Sequence, residues 1–201
     1  MMRVRATRAI LALGAALATG CLGRGSPTEF YTLSASTGRQ EAPLGARAEL
    51  GLVVGPIEFP RYLDRPGIVA RDGSHRLVVS EEARWAGSLR DDILRVVADD
   101  LGARLGTARV AVYPVEPRFQ PDYRVLLDIR EFEGARGEAV VLRVRWTIAS
   151  GSDGHALAVE ESVVEQPVAS AAWADYVAAQ GAALGQVTRA IAARLSTLPK
   201  S

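Results

Sequence analysis

Two long stretches in the second half of the chain alternate apolar and polar residues with a period of two. The apolar members of this alternation are Tyr123, Val125, Leu127, Ile129, Val140, Leu142, Val144, Trp146 and Ile148. Such alternation is typical of strands with one buried and one exposed face. Turn residues at 134–137 and 151–154 separate these strands from each other and from a third apolar run at 156–165. The pattern predicts three consecutive strands in meander order.

Two other segments carry apolar residues every three or four positions, which predicts amphipathic helices. The first helix runs from about Trp85 to Leu105 and ends at Gly106; Ser88 is a candidate N-cap and Ser80 marks a possible earlier start. The second helix follows Ser170, another candidate N-cap, and its apolar stripe ends at Leu195. In it, the four-residue spacing of Gly181 and Gly185 predicts close packing against the sheet; a helix dimerisation face is the alternative.

Short apolar runs in the first half predict the remaining strands. They lie at 30–33, 50–59, 67–71, 76–79 and 108–113, and Asp72-Gly73-Ser74 makes the third and fourth runs a hairpin. The predicted order is β-β-β-β-α-β-β-β-β-α. We therefore expect an α/β (α+β) two-layer sandwich, with a mostly antiparallel or mixed sheet and two amphipathic helices on one face.

The N-terminus resembles that of an exported, lipid-modified protein. Residues 1–20 contain three arginines and no acid, followed by a short apolar run, which is typical of a signal peptide. Leu17-Ala18-Thr19-Gly20 before Cys21 looks like a bacterial lipobox, which predicts lipidation of Cys21; an ordinary buried or free cysteine is the alternative. Residues 21–28 would form the lipidated N-terminus and a short tether, and residues 29–201 a single domain. We expect a membrane anchor through this lipid.

Composition and motifs argue against several function classes. A net charge of +1 in 201 residues gives no basic field for nucleic acid. The only histidines, His75 and His155, fall in predicted turns, and no hydrolase, zinc or phosphate-loop motif occurs. Aspartates at 91, 92, 99 and 100 lie on the expected polar face of the first helix, and arginines at 124, 143 and 145 form one possible basic patch. We expect no enzyme activity, no metal and no cofactor.

One loop is the main candidate for an interaction surface. Tyr62, Leu63, Asp64, Arg65 and Pro66 join two predicted strands and place an aromatic residue and a charge pair on a proline-stiffened connection. The alternative is a purely structural connection in which Asp64 and Arg65 pair locally. Trp85, at the entry to the first helix, is expected to belong to the core rather than to a contact surface.

Several short motifs, taken in order, resemble the PqiC/YmbA-type auxiliary lipoproteins of ABC transporters. They are the lipobox, Phe30-Tyr31-Thr32-Leu33, Val54-Gly55-Pro56-Ile57, Tyr62-Leu63-Asp64-Arg65-Pro66-Gly67-Ile68-Val69, Glu82-Ala83-Arg84-Trp85-Ala86 and the strand pair from Asp122-Tyr123-Arg124-Val125 to Trp146. The match departs from the family pattern at Gly67 and at Gly87-Ser88. It spans nearly the whole chain after Cys21.

The resemblance implies a role and a location. Members of this family are outer-membrane lipoproteins that face the periplasm and serve MCE-type systems, in which an inner-membrane permease and ATPase and a periplasmic MCE protein move lipids between membranes. It implies a non-catalytic component that docks the MCE assembly, with a ring-shaped homo-oligomer as a further expectation. A scaffold or assembly lipoprotein of another envelope machine is the alternative.

Overall fold

A computed structural model describes residues 27–34, 47–116 and 118–199. The predicted signal peptide, Cys21 and most of the tether lie outside these residues. The elements are β1 (Glu29–Tyr31), β2 (Leu52–Glu58), β3 (Gly67–Asp72), β4 (Arg76–Trp85), α1 (Leu89–Leu105), β5 (Val110–Val112), β6 (Tyr123–Gly134), β7 (Ala139–Ser150), β8 (Ala156–Pro167) and α2 (Trp173–Thr197). The predicted order of strands and helices is confirmed.

The strands form two mixed sheets. Five strands lie in the order β5-β2-β6-β7-β8, and three lie in the order β1-β4-β3. The predicted meander is confirmed, because β6, β7 and β8 pair antiparallel along most of their length. Strand β2 instead runs parallel to both β5 and β6, and β1 runs parallel to β4. The mixed α+β class is as expected, whereas the division into two sheets was not predicted.

The core lies between the helices and one face of the five-stranded sheet. The apolar members of the alternation in β6 and β7 are all buried, and so is Trp85. Helix α2 contacts β7 and β8, α1 contacts β2 and β5, and the two helices contact each other. Both helices therefore cover the same sheet, which leaves its other face to solvent. No helix among the described residues is both long and apolar enough to cross a membrane.

The predicted Ser88 cap and Gly106 end of α1 are confirmed, but Trp85, at which the helical pattern was expected to begin, is the last residue of β4, and α1 begins at Leu89. The start of α2 also differs from its prediction. Ser88 caps α1 by accepting a hydrogen bond from the Asp91 N–H at 3.3 Å, and α1 ends at Gly106 in the left-handed conformation (φ 65°). The alternative start near Ser80 is wrong, because β4 extends to Trp85. Ser170 is not the N-cap of α2 either: the helix starts after Ala172, which makes no side-chain cap. Ser170 Oγ instead accepts from the Ala172 N–H at 3.1 Å, within the preceding turn.

Two positions on the helices have a different environment from the one predicted. A side chain at Gly181 would place its Cβ 2.6 Å from the carbonyl oxygen of Ser34. The glycine therefore allows the segment after β1, and not the sheet as predicted, to pack closely against α2. Asp100 is only 4% exposed, and its carboxylate lies 3.7 Å from the Arg104 guanidinium, which is also buried. The expectation of a solvated aspartate is therefore wrong at Asp100; the side chains of Asp91 and Asp99 are exposed.

Candidate partner-docking surface

The proposed interaction residues lie in the β2–β3 loop, residues 59–66. The loop turns tightly, since the Leu63 N–H donates to the Pro60 carbonyl at 3.0 Å and the Arg65 N–H to the Leu63 carbonyl at 2.9 Å. Its end is tied to the three-stranded sheet, where the Trp85 N–H donates to the Pro66 carbonyl at 2.8 Å. Leu63 is buried in the core. These contacts give the loop a defined conformation.

Helix α1 holds the outer side of this loop through Arg90. Its guanidinium donates to the carbonyl of Ile57, at the end of β2, and lies over the Phe59 ring at 4.6 Å. The same group lies 3.7 Å from the carboxylate of Asp64. The ion-pair partner of Asp64 is therefore Arg90, although the sequence suggested Arg65.

A buried carboxylate holds the inner side of the loop. The Tyr62 hydroxyl contacts both carboxylate oxygens of Glu133 at 3.0 Å, and Glu133, near the end of β6, has no solvent exposure. The Phe132 N–H donates to the same carboxylate at 3.0 Å, and Arg71 of β3 forms an ion pair with it. Three donors thus hydrogen-bond or ion-pair with the buried carboxylate. Without such partners, a charge buried this deeply would strongly destabilise the fold.

Two tyrosines connect this cluster to the rest of the core. Burial and the adjacent Glu133 charge raise the pKa of Tyr62 above its ordinary value, so its hydroxyl stays protonated and donates. Burial likewise raises the pKa of Tyr176, on α2. The Tyr176 hydroxyl donates to the Val69 carbonyl and accepts from the Gly134 N–H, both at 3.0 Å. The three-stranded sheet, the five-stranded sheet and α2 therefore meet at one hydrogen-bonded cluster.

Of the five proposed interaction residues, the structure presents mainly Arg65 and Pro66 to solvent. Tyr62 and Leu63 point inward, and Asp64 is exposed but paired. Arg65 and Pro66 line a shallow depression together with residues of β3 and β4: Gly67, Val79, Ser80, Glu81 and Arg84. Within the described parts of the chain Arg65 has no ion-pair partner. The loop thus offers an unpaired guanidinium, on a fixed backbone, beside a depression of mixed polar and apolar lining.

The two histidines, which were considered as catalytic or metal-binding residues, lie on the surface. His75 and His155 are exposed in turns, as predicted. The Ser150 hydroxyl and His155 hydrogen-bond Asp153 and lower its pKa to about 2. Among the described residues no three His, Cys, Asp or Glu side chains are grouped so that they could hold a metal ion.

The arginines on the outer sheet face are interleaved with acids. Arg143 lies 3.8 Å from Glu131 and 3.5 Å from Glu161. Arg145 is paired in register with Asp128 on one side and Glu161 on the other. This face is therefore a mixed-charge surface and not the basic patch that the arginines alone suggested.

Sequence reasoning missed Arg71 and Glu133. The strand pattern did carry a signal, because the regular alternation of β6 stops after Ile129 and continues as Arg130-Glu131-Phe132-Glu133. The pairing of β6 with β7 shifts register between Ile129 and Glu131. This bulge turns Phe132 into the core, in register with Leu142, and places Glu133 in register with Val141 on the other face of β6, where Tyr62 and Arg71 contact it. A break in period next to an acidic residue was the available clue.

Comparison with known proteins gives a family and several structural neighbours. No curated protein matches the chain. Protein XCC0632 from Xanthomonas campestris shares 23% identity over 84% of this chain and 94% of its own, with a TM-score of 0.68. An uncharacterized protein shares 16% identity over 84% and 99% of the two chains, also with a TM-score of 0.68. A PelC dodecamer from Paraburkholderia phytofirmans is less similar, with 15% identity over 73% and 90% and a TM-score of 0.44.

The neighbours with a TM-score of 0.68 share the fold of this chain. The family model of the ABC-type transport auxiliary lipoprotein component matches residues 31–192, which run from the last residue of β1 through all the later strands and α1 into the last turns of α2. We conclude that the chain belongs to the ABC-type transport auxiliary lipoprotein family.

Proposed function

We propose that this protein is a non-catalytic outer-membrane lipoprotein that docks the periplasmic MCE assembly of an ABC-type lipid transport system. Family membership supports an auxiliary role in transport. The observation that carries the docking role is the β2–β3 loop: Arg65 and Pro66 are exposed on a backbone fixed by the Glu133 cluster and by Arg90. Such a pre-formed loop loses little conformational entropy when a partner binds.

The anchor is the lipid on Cys21. Two or three acyl chains give lasting attachment where a single chain gives only reversible binding. At about 3.3 Å per residue the tether from Leu22 to Thr28 would reach no more than ~25 Å, so the domain works close to the membrane that holds it. Leu22 follows the cysteine, and the absence of aspartate there favours sorting to the outer membrane. The proposal includes a ring-shaped homo-oligomer as the functional form.

The experiment is site-specific photo-crosslinking in cells. A photoreactive residue at position 65, in the exposed part of the loop, is expected to capture an MCE-domain protein, identified by mass spectrometry. The matched control places the same residue at position 76, in the turn region of the β3–β4 hairpin, where Arg76 is 71% exposed. Capture of an unrelated envelope protein from position 65 would favour the alternative, a scaffold for another machine.

A further inference from the structure

Strand β8 forms one edge of the five-stranded sheet, and its outer side pairs with no described strand. It runs from Ala156 to Pro167 without an internal proline, glycine or lysine. About half of the backbone groups of an edge strand point away from the sheet and lack a strand partner. The β7–β8 pairing shifts register once, between Ile148 and Ala149, and from Ala158 to Pro167 the strand is regular. A regular edge of this length is a template for another strand unless proline, lysine or a bulge interrupts it.

The side chains on the solvent face of β8 alternate between two kinds. Val159, Glu161, Val163 and Glu165 are paired in register with Thr147, Arg145, Arg143 and Val141 on the outer face of β7. The two valines are 57% and 54% exposed, which makes them the most exposed large apolar residues of the five-stranded sheet. On the solvent face of β8, apolar and acidic side chains therefore alternate along the strand.

The charges on β8 are of one sign. Its three charged residues are all glutamates. Glu160 lies 3.4 Å from Arg194 of α2, and Glu161 lies 3.5 Å from Arg143. Within the described residues Glu165 has no ion pair. Internal partners thus balance two of the acids, and the third, Glu165, has no described counter-charge on the solvent face of the edge strand.

We propose that β8 binds an extended segment of a partner protein by strand addition, and that this segment alternates apolar residues with lysine or arginine. Backbone hydrogen bonds to the free edge would supply affinity, and the side-chain pattern would supply selectivity. A basic residue facing Glu165 would supply the ion pair that this glutamate lacks, and one facing Glu161 would add to its existing pair with Arg143. Apolar residues facing Val159 and Val163 would cover the exposed valines. The β8 strand of a second copy fits less well, because it would bring its own glutamates next to those of the first copy.

This second binding edge is separate from the β2–β3 loop and does not depend on the docking role of that loop. Peptide binding at β8 and crosslinking at position 65 can therefore succeed or fail independently.

The test uses the full-length protein in detergent and three fluorescent ten-residue peptides. The first, TVTKTVTKTV, carries the proposed pattern. The second replaces both lysines with glutamate. The third has proline in place of the threonine at its fifth position, which removes a backbone N–H. We expect the first peptide to bind, and the other two to bind at least about tenfold more weakly at low salt. Hydrogen exchange should slow in β8 when the first peptide binds. Equal binding of all three would overturn the proposal.

Protein variants locate the site. Glu165→Lys should weaken binding of the lysine peptide and improve binding of the glutamate peptide, whereas Glu82→Lys, a change at an exposed glutamate of β4, should do neither. Val163→Lys should lower the affinity for the lysine peptide, and Val78→Lys is its matched control. If no peptide binds and Val163→Lys instead lowers the mass measured by light scattering, β8 is an interface between copies and the proposal is wrong.

Discussion

The Tyr62 hydroxyl donates a hydrogen bond to the buried Glu133 carboxylate at 3.0 Å, across 71 residues of sequence. This contact connects the β2–β3 loop to the far end of β6. Because Arg71 of the three-stranded sheet binds the same carboxylate, one buried charge holds the loop and both sheets together. The conformation of the exposed part of the loop therefore depends on residues that no partner touches.

The Arg71–Glu133 pair should be important for stability. The Arg71 side chain is 33% exposed and that of Glu133 fully buried, so Arg71→Met leaves a buried carboxylate without its main counter-charge. We expect the free energy of unfolding to fall by about 3–5 kcal/mol, measured by urea denaturation. The control is Arg76→Met in the same hairpin, whose pair with Asp72 is exposed and should be worth less than about 1 kcal/mol. Equal losses in the two variants would contradict this role.

Gly181 should be essential for the packing of α2. Alanine is favoured over glycine in helices by about 1 kcal/mol, so an unhindered Gly181→Ala would stabilise the protein. The added Cβ would instead lie 2.6 Å from the Ser34 carbonyl oxygen. We expect a net loss of about 1–3 kcal/mol, measured by thermal denaturation. Gly87→Ala, where a Cβ meets no atom within 4 Å, is the control, and a Gly181→Ala protein as stable as this control would refute the contact.

Asp100 should make stability depend on pH. Burial raises its pKa above the ordinary 3.8; Arg104 and Arg189 oppose this shift, and Asp99 adds to it. A raised pKa means that the folded state binds the proton more tightly, so the stability contributed by Asp100 is lost as the pH rises from about 4 through the folded pKa. Asp100→Asn should therefore become more stable relative to wild type over this range. Denaturation curves whose difference is constant between pH 3.5 and 7 would contradict the shift.

The proposed lipidation of Cys21 predicts in which cell fraction the protein is found. The Cys21→Ser protein should be released from the membrane fraction, because it lacks the acyl chains that anchor it. Fractionation after a high-salt wash distinguishes the lipid anchor from ionic adsorption. If Cys21→Ser protein still sediments with membranes after that wash, the proposed anchor is wrong.

The sequence predicted the order of elements because the meander and both helices carry strong periodic signals. The parallel pairing of β2 with β5 and β6 could not be predicted, because pairing partners depend on contacts across more than fifty residues. Helix α2 was misplaced at its start, since Ser170 hydrogen-bonds inside a turn instead of capping.

The candidate site was only partly predictable. The loop at 62–66 was recognised as a connection with unusual side chains, but its partners Arg71, Arg90 and Glu133 come from three other elements, β3, α1 and β6. Asp100 shows the same limit, because its position on a helical wheel suggests exposure to solvent, whereas it is buried and interacts with Arg189 of α2. The periodicity of a sequence shows on which face of its own helix or strand a residue lies. Whether that face is buried also depends on the elements that pack against it.

The most direct measurement is the affinity of the MCE-domain component for the Asp64→Ala/Arg65→Ala protein. Both changes leave Tyr62 and Leu63 in place, and the exposed Asp64–Arg90 pair is worth less than about 1 kcal/mol, so the melting temperature should change little. The matched control is Asp72→Ala/Arg76→Ala, which removes another exposed aspartate–arginine pair. The proposal predicts at least about a tenfold loss of affinity for the loop variant and none for the control. Equal affinities for both variants and wild type would contradict docking through this loop.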